Sequence, residues 1–262
     1  MGEQNREYSE LYRQYEDLLE YRDRLKKEAF EAQREYVRVF GDRICRLFEC
    51  KISCIRKKKM IAYCQAILNH GGTIIQKELE AYLQKEMAEY QKQLQDMTED
   101  NREAKKSTPI SEADALEIRR IYRSLAKRIH PDRNPKFAED EEILELWNEI
   151  VIAYRCNKLK RLQELEILAS RALARYGDET DTEIPNLSDR IAETEAEIDH
   201  IRSTDPYRYR DLLDDQNAVR AQEDSLDREI AEYEKYEEQL ENVADELVAQ
   251  GITITWNTMP DR

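Results

Sequence analysis

Glycine and proline are scarce, with six of each in 262 residues. These two residues punctuate turns, so their scarcity leaves little room for many short strands or a loop-rich fold. Long apolar runs are missing too. No stretch of eighteen apolar residues exists, so no segment is expected to span a membrane. The opening Met1-Gly2-Glu3-Gln4-Asn5-Arg6 lacks an apolar signal core, and Arg6 stands where myristoylation requires Ser or Thr. A cytoplasmic protein is the expectation. Its five cysteines (Cys45, Cys50, Cys54, Cys64, Cys156) then read as reduced, buried or half-buried thiols, not as a disulfide framework. There is no Cys-x-x-Cys pair, no Gly-rich phosphate loop and no Ser or Cys nucleophile motif. No metal, no cofactor and no enzymatic reaction is expected.

What the chain has in quantity is charge, at 38% of its residues. Its 40% apolar content includes fifteen Tyr, so long helices with narrow apolar stripes are expected instead of one large core. The net charge of −15 is uneven. Residues 177–250 hold 24 Asp/Glu against 7 Arg/Lys, a balance of −17, whereas residues 1–176 stand at +2. Within that near-neutral part, 43–59 carries seven basic residues and one acidic, including the run Arg56-Lys57-Lys58-Lys59. Such a run touches nucleic acid or, more commonly, forms a solvated face or pairs with acidic neighbours. Nucleic acid is not the expected partner here, because the acidic third supplies an internal one. The dense Glu of that third reads as an exposed coiled-coil face, not as paired catalytic carboxylates.

Helical spacing organises the chain. Tyr8, Leu11, Tyr12, Tyr15, Leu18, Leu19, Tyr21 and Leu25 recur mostly at three and four, which predicts one long helix over 5–40. Gly41-Asp42 interrupts or bends it, and the periodicity continues to Asn69. Asn69-His70-Gly71-Gly72 is the sharpest break. A further helix over about 73–97 would complete an N-terminal helical hairpin spanning 1–105. Lys105 to Ile110 reads as a linker, and Ser111 as the N-cap of a helix that runs to Ile129 and stops at Pro131. Helices from about Ala138 to Arg155 and on to Arg175 complete a module over 111–176. In the acidic third, Leu187, Ile191, Thr194, Ile198 and Ile201 mark one arm. Leu212, Val219, Leu226, Tyr233, Leu240 and Leu247 recur every seven residues in a second, with Tyr236 and Val243 between. An intramolecular hairpin over 187–250 and a homodimer zipper both fit that spacing. Ile252, Ile254 and Trp256 give a short strand signal in the tail, 251–262. His70 and His200, near helix ends, read as solvated or capping residues.

The stretch that carries a mechanism runs from Ile118 to Pro135. Ile118, Ile121, Tyr122, Leu125 and Ile129 make one apolar face, and Arg119, Arg120, Arg123, Lys127 and Arg128 project from the others. Residues 114–136 hold seven basic side chains against three acidic, a cationic helix suited to an acidic partner surface. Pro131 ends the helix and forces His130 into an extended geometry, which is expected to display His130 and Asp132 at a loop tip.

These residues resemble a J-domain, the DnaJ-like co-chaperone family. The basic helix leading into His130-Pro131-Asp132-Arg133-Asn134-Pro135 is similar to its helix II and loop. Trp147, Ile150, Ala153 and Tyr154 occupy the aromatic-x-x-Ile-x-x-Ala-Tyr positions of its helix III. The resemblance covers roughly residues 111–160. It implies a central J-domain-like module with core Ile118, Ile121, Tyr122, Leu125, Trp147, Ile150, Ala153 and Tyr154, and with the helical spacing on either side the expected fold is all-α, helical hairpins or coiled coils flanking that module. It also implies contact with a DnaK-type heat-shock chaperone and stimulation of that partner's ATPase. The contact residues it implies are His130, Pro131, Asp132, Arg119, Arg120, Arg123, Lys127 and Arg128, with Asp132 bonding an Arg of the ATPase. The chain departs from the family in having no Tyr-Tyr-x-x-Leu-Gly helix before Ser111, no Gly/Phe-rich segment and no zinc module. The flanking helices are therefore expected to supply the missing packing and to recruit a client or scaffold protein. A second function fits the same residues: a coiled-coil scaffold or adaptor that keeps a degenerate J-like module as a structural unit.

Overall fold

The computed structural model describes residues 2–106, 110–176 and 184–249. Among these run α1 (Gly2–Asn69), α2 (Gln76–Lys106), α3 (Glu112–Ile129), α4 (Glu141–Arg155), α5 (Leu159–Leu173), α6 (Leu187–Ser203), α7 (Tyr209–Asp214) and α8 (Gln216–Ala249). One 3₁₀ turn, Pro135–Phe137, lies between α3 and α4. The fold is all-α, as the spacing predicts. The strand signal of the tail lies outside the described residues. So do residues 107–109 of the linker at 105–110, while Lys105 and Lys106 are helical and not linker.

The chain forms two compact units, Met1–Arg34 with Thr108–Asp211, and Glu35–Ser107 with Leu212–Arg262. This division cuts across two of the expected domains. The hairpin over 1–105 is not one body, because α1 gives its first half to one unit and the rest to the other. The arms at 187–250 likewise fall in different units. Their apolar positions pack on α1.

In the first unit, α3, α4 and α5 enclose one core of Ile118, Ile121, Leu125, Ile129, Phe137, Ile143, Ile150, Leu162, Leu165 and Ala169, each almost wholly buried. All eight residues predicted for the module's core are in it or on its edge as buried side chains. Ser111 caps α3, its Oγ accepting from the amide of Asp114 at 3.0 Å. The next helix starts at Glu141, three residues later than predicted. Pro135 sets the 3₁₀ turn first, and Asp140 then caps α4 by accepting from the amide of Ile143 at 3.0 Å. Alongside, α6 lies parallel to the start of α1, with Leu187 and Ile191 against Tyr15 and Leu19.

In the second unit, the later part of α1 and α2 form an antiparallel pair. Tyr63 stacks on Tyr82 with ring centroids 4.9 Å apart, and Lys59 meets Glu86 at 2.6 Å. The predicted break ends α1 as expected, with Gly71 at φ +70° and its amide donating to the carbonyl of Leu68. Gly41, however, neither interrupts nor ends the helix. A Cβ there would lie 2.4 Å from Oδ1 of Asn101, so the glycine admits α2. That contact carries α2 nine residues beyond its predicted end. The heptad stripe of α8 lies parallel to the same part of α1. Leu226 packs with Phe40 and Leu47, and Leu240 with Cys54 and Ile61.

Candidate functional site

The loop between α3 and α4 begins as its sequence requires. His130 closes α3 in an extended conformation, φ −60° and ψ 124°, the geometry that Pro131 imposes on its predecessor. The carbonyl of His130 then accepts from the amides of Arg133 and Asn134, at 3.1 and 2.9 Å, and turns the chain tightly. The expectation that His130 is displayed at a tip is corrected. Its imidazole is 3% exposed, with its ring centroid 4.5 Å from that of Trp147. Trp147 and Tyr154 flank Tyr122 in turn, at 5.6 and 3.8 Å between centroids. The extended backbone turns the ring into the aromatic groove of α3 and α4, where burying it removes apolar surface from water.

The amide of Asp132 donates to Nδ1 at 3.0 Å, and Nη2 of Arg22 stands 3.3 Å from Nε2. That nitrogen faces Oδ2 of Asp23, on α1, at 3.6 Å. The same carboxylate oxygen accepts from the hydroxyl of Tyr122 at 2.7 Å. Burial pushes the carboxyl of Asp23 up. His130, Arg22 and the Tyr122 hydroxyl outweigh that and hold it down at about 2. Burial pushes the Tyr154 phenol up to about 12, and Tyr122 shifts the same way for the same reason, with Asp23 adding to it.

Asp132 is half-exposed, and its carboxylate accepts from Nη1 of Arg22 at 3.0 Å. The same nitrogen meets Glu197 of α6 at 3.3 Å, and Lys26 meets Glu197 at 2.6 Å. An open cavity of about 280 Å³ borders this network, lined by Arg22, Asp23, His130, Pro131 and Trp147 among others. Of the predicted cationic side chains, Arg123 is paired with Glu20 of α1, and Arg133, within the loop, meets Glu16 at 2.6 Å. Arg120 is paired within its own helix with Glu117, and Arg128 donates to Ser170 of α5 at 3.1 Å. Arg119 and Lys127 are exposed. The predicted contact residues therefore share one module, with α1 against the loop and Glu197 of α6 behind Arg22. Comparison with known protein families, curated proteins and solved structures finds no match for this chain.

Glu16, Glu20, Arg22, Asp23 and Glu197 escape a reading of the sequence. Each is an ordinary charged position beside an apolar stripe, and its partner lies on another element up to 175 residues away. The Arg56-Lys57-Lys58-Lys59 run resolves toward internal pairing. Lys57 meets Glu237 at 3.3 Å and also pairs with Glu241, and Lys58 stands over the Tyr236 ring at 4.9 Å. Cys45, Cys50 and Cys54 are buried, and burial raises all three thiols. His70 and His200 are exposed. Among the described residues no cluster of His, Cys, Asp or Glu is arranged to hold a metal, and no helix is long and apolar enough to cross a membrane.

Proposed function

We propose that the chain is a J-domain-type co-chaperone of the cytoplasm, which binds a DnaK-type heat-shock chaperone and stimulates its ATPase through His130-Pro131-Asp132. The observation that carries this reading is the joining of α3 to α4 by that tripeptide over a shared core. The matched helix positions Ile118, Tyr122, Leu125, Ile150, Ala153 and Tyr154 are all buried there, while Arg119, Arg120, Arg123 and Lys127 face outward. In this role the protein performs no chemistry of its own and needs no cofactor. It biases a conformational equilibrium in the partner, with Asp132 offered to an arginine and the cationic helix to an acidic face. The helices beyond the module serve to recruit a client or scaffold protein.

A second reading has one observation in its favour. Asp132 is already paired with Arg22, and His130 is buried, as they would be in a scaffold or adaptor that uses the loop only as a structural joint. Single-turnover ATP hydrolysis by a DnaK-type chaperone separates the two. Stimulation by the wild-type chain that vanishes in His130→Gln and Asp132→Asn, with helicity retained, is the expected result. Hydrolysis unaffected by any of the three across several chaperones would favour the scaffold.

A further inference from the structure

One face of α1 is written against the loop and its basic helix. Glu16, Glu20, Asp23 and Lys27 recur at i, i+4, i+7 and i+11, a single stripe of a helix. Each meets a group of the α3–α4 module. Glu16 takes Arg133, Glu20 takes Arg123, and Asp23 takes the Tyr122 hydroxyl and faces His130. Lys27 donates to the carbonyl of Tyr154 at 3.0 Å. Beside the stripe, Arg22 takes Asp132, and Glu197 of α6 holds Arg22 from the other side. Arg22 and Asp23 are each only 11% exposed at the side chain.

Buried charges are a poor way to hold helices together, since apolar residues of similar volume commonly do as well or better. What the network has is complementarity. It presents Glu20 to Arg123 of the cationic helix, Glu16 to Arg133 of the loop and a guanidinium to Asp132, the same two chemistries that an external acidic partner carrying an arginine would present. One carboxylate and one guanidinium cannot serve both surfaces at once.

We infer that the first half of α1, clasped by Glu197 of α6, is an internal stand-in for the chaperone, so that the folded chain is held closed and stimulates only when this stretch is displaced. The inference rests on the co-chaperone reading. Arg119 and Lys127 remain exposed and give the partner a first foothold on α3. The cost of opening appears as a weaker apparent affinity, scaled by the fraction of molecules with the loop free.

The test uses the full chain with Arg22→Gln and, separately, with Glu16→Gln and Glu20→Gln together, a pair that leaves the contacts of Asp132 to Arg22 and of His130 to Asp23 untouched. Two readouts are taken: single-turnover ATP hydrolysis by a DnaK-type chaperone, and the rate at which diethyl pyrocarbonate modifies His130, followed by peptide mass. The expected result is a half-maximal stimulating concentration lower by about tenfold in each variant, the loss of roughly one charge-assisted hydrogen bond. Faster His130 modification should accompany it, and adding Asp132→Asn should abolish the stimulation. Equal stimulation by wild type and both variants overturns the masking and leaves the co-chaperone reading standing. Faster modification of His130 with no stimulation by any form overturns the co-chaperone reading, and the masking falls with it. Unchanged modification and no stimulation overturn both.

Discussion

At the scale of single residues, Asp23 is the keystone of the first unit. It is a carboxylate out of water that faces an imidazole, a phenol and a guanidinium, and its charged form is favoured by all three. A carboxyl held at about 2 against its ordinary 3.8 stabilises the fold above pH 4, and that stabilisation drains away as pH falls from about 4 to 2. Across that window the wild-type chain should lose about 2 kcal/mol more than Asp23→Asn does, in urea unfolding followed at a series of pH values. Parallel acid profiles for the two would remove Asp23 from this role. At neutral pH the Asn variant should be the less stable by about 2 kcal/mol, because Tyr122 and Arg22 lose a charged acceptor. The proline-imposed geometry of His130 was legible from the sequence, since it is a steric property of one dipeptide. The side chain's burial was not, because it depends on where Trp147 lands.

At the scale of elements, glycine in α1 shows how one residue carries two opposite meanings. Gly41 reads locally as a helix interruption, and an isolated α1 would gain up to ~1 kcal/mol from alanine there. In the second unit the same position is where α2 passes closest, and Asn101 is held in place by donating from Nδ2 to Asp42 at 2.8 Å. Gly41→Ala should therefore destabilise the second unit by about 1 kcal/mol, since the methyl has no room until Asn101 shifts. Adding Asn101→Ala should recover most of that loss in a double-mutant cycle by urea unfolding. Additive losses would mean that the close approach does not matter. The heptads of α8 teach a related lesson. Their period says that a stripe is buried but not against what, and the second half of α1 takes the place that the sequence left open between a hairpin and a zipper. Val243, one of the intervening positions, is 40% exposed, so the pairing is narrower than a full two-position seam.

At the scale of the whole molecule, the uneven charge noted in the sequence becomes a ladder in the second unit. Arg43 meets Glu223 and Asp227 at 2.9 and 3.0 Å, Arg46 meets Glu234 at 2.9 Å, and Lys57 is shared between Glu237 and Glu241. Each such pair near the surface contributes little, of order 0–1 kcal/mol. Together they set carboxylates along the 43–59 run, which opposes attraction of polyanions to it. The wild-type chain should accordingly show no retention of duplex DNA or RNA at low salt. Replacing Glu223, Asp227, Glu234, Glu237 and Glu241 by their amides should produce binding that weakens steeply as salt rises. Tight binding by the wild type would show instead that the basic run is available to a nucleic acid. Helical class, the caps at Ser111 and Asn69-Gly72, the core of the 111–160 module and the Pro-terminated helix all follow from the order of residues, because propensity, periodicity and backbone sterics act within a few positions. The partner of each stripe follows only from the tertiary fold. Apolar burial is non-directional, and a charge accepts any complement within reach. Which half of α1 faces α6 or α8, and that Glu16, Glu20, Arg22 and Asp23 close over His130 and Asp132, are therefore settled by three-dimensional proximity between residues more than a hundred positions apart.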